Sequence, residues 1–270
     1  YYLPAQQLKR AQDAKAPAPA AATMAGDPTM TMAGAEAPAR PQLTPEERMV
    51  RQAQANVANE LMQAKLLRAV ESNRQLEEVL ADFWFNHFNV FIGKGQVREY
   101  VTEYEREAIR PHVLGKFRDL LGATAHSPAM LFYLDNWQSA APNAPALMNP
   151  EMARRLNDPR LSPAQRQQLT QRLEQAKRLQ PKGLNENYAR ELMELHTLGV
   201  DGGYTQQDVI EVARALTGWT IDRPQQGGAF VYRPQMHDTG PKTILGVKFN
   251  GNGGEDEGER VLDMLAKHPS

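Results

Sequence analysis

The stretch LNENYARELMELHTLGVDGGYTQQDVIEVARALTGWT, residues 184–220, decides the fold of this chain. It joins an Asn/Glu-rich helix start, a Gly-Gly turn and a second helix that opens on Thr205-Gln206-Gln207-Asp208. In such an opening the threonine hydroxyl and the acid three residues later each satisfy a free backbone N–H. Gly202 and Gly203 permit positive φ between two helices. The stretch therefore predicts two helices joined by a short turn.

Helical patterns continue on both sides of this pair. Further helices are predicted from Thr44-Pro45 with a break near Ser72-Asn73, over 76–88, and over 97–110, 117–123, 128–135, 163–179 and 257–267. Residues 229–233 and 242–249 are short and β-prone, with turn residues between them, which predicts a β-hairpin. The predicted fold is mainly α: a multi-helix, orthogonal or bundle-like domain with a small β-hairpin near 229–249.

Composition divides the chain into parts. Residues 1–15 indicate a fragment of an N-terminal helix, and residues 16–42 are rich in Ala and Pro, as in a linker or insertion. Residues 43–270 are expected to form the helical core domain, with a charged helical insertion near 160–180. The chain begins without Met and shows no signal peptide. We therefore expect a core truncated at both ends, with any export signal outside it.

Composition also excludes several classes of function. The 31 basic and 32 acidic residues give a formal charge of −1 without a basic run, so a nucleic-acid partner is unsupported. No apolar stretch reaches the ~18 residues of a membrane span. The chain has no cysteine, which excludes thiol catalysis, disulfides and Cys-ligated zinc. Gly-x-Ser-x-Gly, phosphate-loop and His-Glu-x-x-His motifs are absent.

The first helix of the opening stretch carries the densest set of candidate polar residues. On a regular helix one face holds Asn187, Arg190, Glu191 and Glu194. This face can be solvated, with an Arg190–Glu194 ion pair. It can instead line a cleft, where Glu191 and Glu194 would bind a metal or do acid–base work.

Histidines on apolar faces are expected to be structural. Leu195 and His196 fall on the side opposite the polar face, so Glu194 and His196 do not form a metal pair in a regular helix. His87 lies in an aromatic stripe, next to the polar Asn89. A core histidine hydrogen-bonded to a carbonyl explains both His87 and His196.

His237-Asp238 differs, because it lies in a predicted turn, where side chains point outward and function often resides. An imidazole beside a carboxylate can bind a divalent metal or move a proton, which makes His237 a candidate base and His237 with Asp238 a candidate metal pair. An Asx-turn with an exposed histidine explains the same residues without chemistry. Lys242 can pair with Asp238 or hold an anionic substrate.

Four strings, in this order, carry a family resemblance: FWFNHFNVF (83–91), FRDLLGATAHSPAMLFYLDN (117–136), NENYARELMELHTLGVDGGYTQQDVIEVARALTGW (185–219) and HDTGPKTILG (237–246). Over about residues 60–270 the chain resembles the bacterial family called domain of unknown function 1800. The resemblance implies a largely helical, periplasmic or secreted protein, often encoded beside a second exported family that could supply a partner protein. It implies no established reaction and nominates no catalytic residue.

Two functions from different classes follow. The first is a metal-assisted or acid–base, hydrolase-like site in an exported protein. Its catalytic residues would be Glu191, Glu194 and His237, its divalent-metal ligands His237 and Asp238, and its substrate-binding residues Asn89, Asn187, Arg190 and Lys242. The second is a non-catalytic helical scaffold or cell-surface assembly protein. A shared catalytic site requires the Glu-rich helix and the His-Asp turn to converge on one cavity.

Overall fold

The structure is a computed structural model that describes residues 44–142, 144, 161–178 and 183–270. The predicted helical fragment 1–15 and the Ala/Pro-rich segment 16–42 lie outside these residues. The described part is mainly helical, with nine α-helices and two small two-stranded sheets. The predicted fold class is confirmed.

The described residues form nine helices in chain order. They are α1 (Pro45–Glu71), α2 (Gln75–His87), α3 (Val97–Glu103), α4 (Phe117–His126), α5 (Pro128–Tyr133), α6 (Pro163–Arg178), α7 (Glu186–Met193), α8 (Gln206–Ala215) and α9 (Glu255–Ala266). Residue contacts divide the chain into two units, residues 1–65 and 66–270. None of the helices in the described residues combines the length and apolar composition that crossing a membrane requires.

Most predicted helix limits hold to within a few residues. Helix α1 ends at Glu71, where the break near Ser72-Asn73 was expected. The charged helix predicted near 160–180 is α6. Its neighbour α5 begins at the predicted serine cap, since the Ser127 hydroxyl accepts the Ala129 N–H at 3.3 Å.

The helix predicted over 97–110 changes its winding twice. From α3 the chain passes into a π-helical turn, Tyr104–Ile109, and then into a 3-10 turn, Arg110–His112. Pro111 ends the helical hydrogen bonding because it has no N–H to donate. Sequence periodicity detects that a segment is helical but not that its winding changes, so the prediction had one uninterrupted helix here.

Buried ion pairs accompany this change of winding. Glu105, in the π-helical turn, is only 5% exposed, and Arg68 at the end of α1 donates to it at 2.5 Å. Arg110 donates to both oxygens of Glu78 on α2, at 2.6 and 2.8 Å. The Arg110 hydrogen bond, opposed by burial, holds the pKa of Glu78 below its usual range. These pairs tie the end of α1 to the π-helical turn and helix α2 to the 3-10 turn that follows it.

The capping sequence at the start of α8 also binds a turn that is distant in sequence. Thr205 N–H donates to the Asp208 carboxylate at 2.8 Å and the Thr205 hydroxyl accepts the Asp208 N–H at 3.2 Å, which confirms the predicted capping box. The other oxygen of Asp208 accepts the N–H of Leu245 at 2.7 Å. The helix start thereby holds a turn 37 residues further along the chain.

Strand pairing differs in part from the predicted hairpin. Strand β1 (Trp219–Ile221) pairs antiparallel with β2 (Phe230–Tyr232), and β3 (Lys242–Ile244) pairs antiparallel with β4 (Val247–Phe249). A small hairpin near 229–249 is therefore present as β3–β4. The segment 229–233, however, pairs with β1 rather than with 242–249. A three-residue strand is too short to show alternation, so β1 was not recognised at the end of a helical pattern.

The core is centred on Trp219, which is fully buried. Its indole stacks on the ring of His126 at 4.4 Å between centroids. The buried Asn136 side chain donates to the carbonyls of Leu216 at 3.3 Å and Trp219 at 3.1 Å, which fixes the passage from α8 into β1. Gly258 of α9 lies directly against the indole. The indole therefore joins α4, β1 and α9.

Replacement of Gly258 by alanine should destabilise the fold. The added Cβ would lie 2.3 Å from Cζ2 of the Trp219 indole, which cannot withdraw from a packed core. Overpacking of this kind lowers the free energy of unfolding by about 1–3 kcal/mol. Gly122→Ala on α4 is the matched control, because its Cβ would meet only the flexible end of Arg118. Equal urea-unfolding midpoints for the two variants would contradict this packing.

Candidate functional site

The Glu-rich helix α7 begins at a side-chain cap. Asn185 accepts the N–H of Asn187 at 2.9 Å, and α7 then runs to Met193. Glu191 on this helix and Glu194 directly after it are both half-buried. Glu194 accepts a hydrogen bond from the Tyr204 hydroxyl at 3.4 Å. Burial and the neighbouring Glu194 charge raise the pKa of Glu191, and Arg190 opposes them.

Two of the predicted substrate-binding residues, Asn187 and Arg190, lie on this helix. Arg190 donates to Gln206 of α8 at 2.7 Å and lies 3.8 Å from Glu186. It does not form the expected ion pair with Glu194 among the described contacts. Asn187 and Asn89 are both exposed.

A π-helical turn, Glu194–Leu198, follows α7 and changes which side chains face inward. His196 is buried, as predicted, but Leu195 is 57% exposed although a regular helix places it on the apolar side. The extra residue per turn of a π-helix rotates everything after Met193. The regular helical wheel was therefore wrong for Leu195, although it placed His196 correctly.

The two histidines predicted to be structural meet at this turn. The ring Nε2 of His87 lies 3.0 Å from the carbonyl of His196 and donates to it when Nε2 carries the proton. Burial, followed by the charge of His87, lowers the pKa of His196 to about 4, so His196 is neutral near pH 7. The predicted hydrogen bond between a histidine ring and a backbone carbonyl is present for His87, and the carbonyl belongs to His196.

The His-Asp turn does not point outward, contrary to the prediction from its turn sequence. The side chain of His237 is 1% exposed. Its Nδ1 lies 2.8 Å from the Thr217 carbonyl and its Nε2 lies 3.3 Å from a Glu257 oxygen, without hydrogen-bond geometry. The Thr217 hydroxyl accepts the Asp238 N–H at 2.8 Å. Thr217, just after α8, therefore draws this turn into the interior.

Asp238 faces a different partner from its neighbour. Arg214 of α8 donates to both of its oxygens, at 2.9 and 3.0 Å, and also to Glu211 at 2.5 Å. Burial works against ionisation, but the Arg214 and Gly240 hydrogen bonds hold the pKa of Asp238 below its usual range. The side chains of His237 and Asp238 therefore contact different partners. In the described part of the chain, no group of three or more His, Cys, Asp or Glu side chains is arranged to hold a metal ion.

Lys242 completes this region as a buried charge. Its side chain is 0% exposed and its ammonium donates to Glu257 at 2.6 Å, to the Gly240 carbonyl at 3.0 Å and to the Asp238 carbonyl at 2.5 Å. A lysine ammonium has three donors, and all three are used. The predicted pairing with Asp238 is made mainly through the backbone, since the nearest side-chain oxygen lies 3.9 Å away.

We call this set of residues the lysine cluster: Arg214, Thr217, His237, Asp238, Lys242 and Glu257. Sequence reasoning missed Arg214, Thr217 and Glu257. Glu257 left a usable signal, because it shares the buried stripe of α9 with Gly258, Val261 and Leu262. A carboxylate in an apolar stripe is rarely buried without a partner.

The two halves of the predicted catalytic site lie at opposite ends of α8. Its first residue, Gln206, contacts Glu186 and Arg190 of α7, whereas Arg214, near its other end, contacts the lysine cluster. These two residues are about 12 Å apart along a helix axis. No hydrogen bond or ion pair among the described residues joins Glu191 or Glu194 to His237 or Asp238.

Comparison with known proteins gives one match. A family model described as "Protein of unknown function (DUF1800)" matches residues 3–270, essentially the whole chain. No curated protein and no solved structure matches the chain.

Lys242→Met should lower the free energy of unfolding by about 3–5 kcal/mol, because it leaves Glu257 as a buried charge without a cation. The double variant Lys242→Met, Glu257→Met should recover much of this loss, since both charges are then gone. Arg223→Met is the control, because Arg223 and Asp222 form an exposed pair worth less than about 1 kcal/mol. Chemical unfolding in which Lys242→Met costs no more than Arg223→Met would show that the cluster does not stabilise the fold.

Proposed function

This chain belongs to the DUF1800 family of proteins of unknown function, and we propose that it is an exported helical assembly protein that binds a partner protein through an apolar surface. The partner we propose is a protein of the second exported family that the resemblance implies. A periplasmic or secreted location is part of the same proposal. One observation carries it: an outward-facing row of large apolar side chains on the end of α1 and on α2.

The apolar row consists of Leu66, Leu67, Val70, Leu76, Val79 and Phe83. Each of these side chains is between 55% and 67% exposed. Single exposed apolar residues are ordinary in soluble proteins, but a contiguous apolar patch usually marks an interaction site. Six such residues within one short stretch are therefore the strongest sign of binding in the described structure.

Helix α2 is apolar on two nearly opposite faces. Its inner face packs into the core through the buried Ala81 and through Trp84, whose ring lies 5.8 Å from that of Phe117. Val79 and Phe83 project from the other side, because they lie about 160° from Ala81 on a helix of ~100° per residue. Apolar side chains at this spacing on a helix are normally buried against a neighbouring element. Within the described part of the chain, the outer face of α2 is instead left exposed.

The spacing of the row favours a helical segment of the partner. Leu76, Val79 and Phe83 are three and four residues apart, the spacing that forms a ridge along one side of a helix. Such a ridge accepts the apolar face of another helix, and an exposed aromatic such as Phe83 is a common anchor at protein interfaces. We therefore place an amphipathic helix of the partner along α2.

The lysine cluster favours an assembly function because its charged residues have structural roles. His237 and Lys242 are buried, Asp238 is half-buried, and each is paired with another residue of the fold in a way that stabilises the turn. Their burial and pairing account for these charged residues without a substrate.

Val79→Glu should weaken binding of the purified neighbouring exported protein by about 10- to 100-fold, because a buried unpaired charge in an interface costs several kcal/mol. Val200→Glu is the matched control, since Val200 is 72% exposed and lies away from the row in sequence. Calorimetric titration of full chains measures both affinities.

Equal affinity of the wild type and Val79→Glu for that protein would contradict the proposal, as would no binding by the wild type. Self-association in sedimentation that Val79→Glu removes would assign the row to a second copy of the chain, and this result too would overturn it.

A second candidate function is acid–base catalysis at α7. The observation that favours it is the pair Glu191 and Glu194, of which Glu191 has a raised pKa through burial and its neighbour's charge. A carboxyl whose pKa is raised by its environment can serve as a general acid beside a second carboxyl group. This candidate uses the α7 carboxylates alone, because His237 and Asp238 face other partners.

Glu191→Gln should then abolish hydrolysis of 4-nitrophenyl acetate or 4-nitrophenyl phosphate, with a loss of about 10²-fold or more. The wild-type rate should fall as pH rises through the raised pKa of Glu191, because the acid form is lost. Glu186→Gln, on the same helix, is the control that should keep full activity. If no hydrolysis is detected, or if Glu191→Gln matches the wild type, this candidate is rejected.

A further inference from the structure

The loop between β4 and α9 contains two Asn-Gly pairs, Asn250-Gly251 and Asn252-Gly253. In such a pair the backbone nitrogen of the glycine can attack the side-chain carbonyl carbon of the asparagine, because glycine has no side chain to hinder the approach. Both asparagines are exposed. By sequence the two pairs are equivalent, and only their surroundings in the fold distinguish them.

The second pair is held in an unreactive arrangement. The N–H of Gly253 donates to a Glu257 oxygen at 3.1 Å, and Glu257 is itself fixed by the buried Lys242. The N–H of Asn252 donates to the Thr239 carbonyl at 3.2 Å, and Asn252 adopts a left-handed conformation with φ of 58°. For its nitrogen to attack, Gly253 must first leave Glu257. The fold therefore protects Asn252.

The first pair has no such restraint. Among the contacts of the described residues, the N–H of Gly251 has no acceptor and the Asn250 side chain has no hydrogen-bond partner. Asn250 follows directly after strand β4, outside the ladder of the β3–β4 hairpin. Its side-chain amide is therefore free to rotate towards the following nitrogen.

We propose that Asn250 is a site of self-modification by deamidation, with water as the only co-reactant. The Gly251 nitrogen forms a bond to Cγ of Asn250 and loses its proton, and the side-chain amide leaves as ammonia to give a five-membered imide. Water then opens either C–N bond of the imide, which yields aspartate or isoaspartate at position 250. No electron is transferred, and the chain gains one carboxylate.

The position gives the modification a structural consequence. A Cβ on Gly251 would lie 2.4 Å from the Thr239 carbonyl oxygen, so the backbone at 251 runs directly against the turn that contains Asp238 and Gly240. Isoaspartate adds one carbon to the backbone next to this contact. The modified loop therefore meets the turn that anchors the lysine cluster.

Peptide mapping by mass spectrometry after incubation at mildly alkaline pH tests the proposal. In the folded chain the carboxamide-to-carboxylate mass change should accumulate at Asn250 faster than at Asn252 by about tenfold or more, because Asn252 reacts only after local opening. In the urea-unfolded chain the two sites should react at similar rates, which provides the internal reference. Asn250→Gln should remove the fast conversion, and Asn252→Gln should leave it unchanged.

A folded chain that deamidates at Asn252 as fast as at Asn250 would overturn the proposal. So would a folded chain in which Asn250 is stable while the unfolded chain converts. Both asparagines are exposed, so their glutamine variants should keep the fold, which circular dichroism of each variant checks before the mapping.

Discussion

The buried ammonium of Lys242 is the interaction on which the C-terminal half of the structure depends. A lysine charge is costly to take out of water, and here the cost is offset by three acceptors that satisfy every N–H. One acceptor is the carboxylate of Glu257, and the others are carbonyls of the turn before β3. The ammonium thereby ties α9 to that turn. Thr217 and Arg214 hold the same turn from α8, so three separate elements are tied at one point.

This constraint also decides which chemistry the turn can do. A histidine and an aspartate next to each other in a glycine-containing turn suggest an exposed proton carrier or metal pair. In the fold, His237 is directed to the Thr217 carbonyl and Asp238 to the Arg214 guanidinium. The remaining candidates for function are therefore the apolar row on α1 and α2 and the carboxylates Glu191 and Glu194. Of these, the apolar row is the stronger candidate, because exposing apolar surface to water costs free energy, whereas exposing a carboxylate does not.

Two π-helical turns place residues where a regular helix would not. The turn after α7 exposes Leu195 and presents the carbonyl of His196 to His87 on α2. The turn after α3 carries the buried Glu105 to the arginine at the end of α1. In both places the irregular winding is stabilised by a partner distant in sequence. Helix α2 receives contacts from both turns, so its inner face is firmly held while its outer face stays uncovered.

The sequence by itself determined most of the helices. Apolar periodicity located the helices, and local capping chemistry fixed the starts of α5 and α8, because both signals involve residues within one or two helical turns. The family resemblance rested on the same local strings. The regular helical wheel misplaced Leu195 in the turn after α7, since a change to π winding depends on packing that periodicity does not record.

Only the tertiary structure decided the partners. The pairing of β2 with β1, the meeting of Lys242 with Glu257 and the separation of the Glu-rich helix from the His-Asp turn all join residues that are distant along the chain. The two Asn-Gly pairs also differ through tertiary contacts, although their sequences are identical. The Gly253 N–H after Asn252 donates to Glu257, whereas the Gly251 N–H after Asn250 has no acceptor among the described residues. The physical reason is that local sequence sets which conformation a segment prefers, whereas burial and charge pairing depend on what the rest of the chain brings to it.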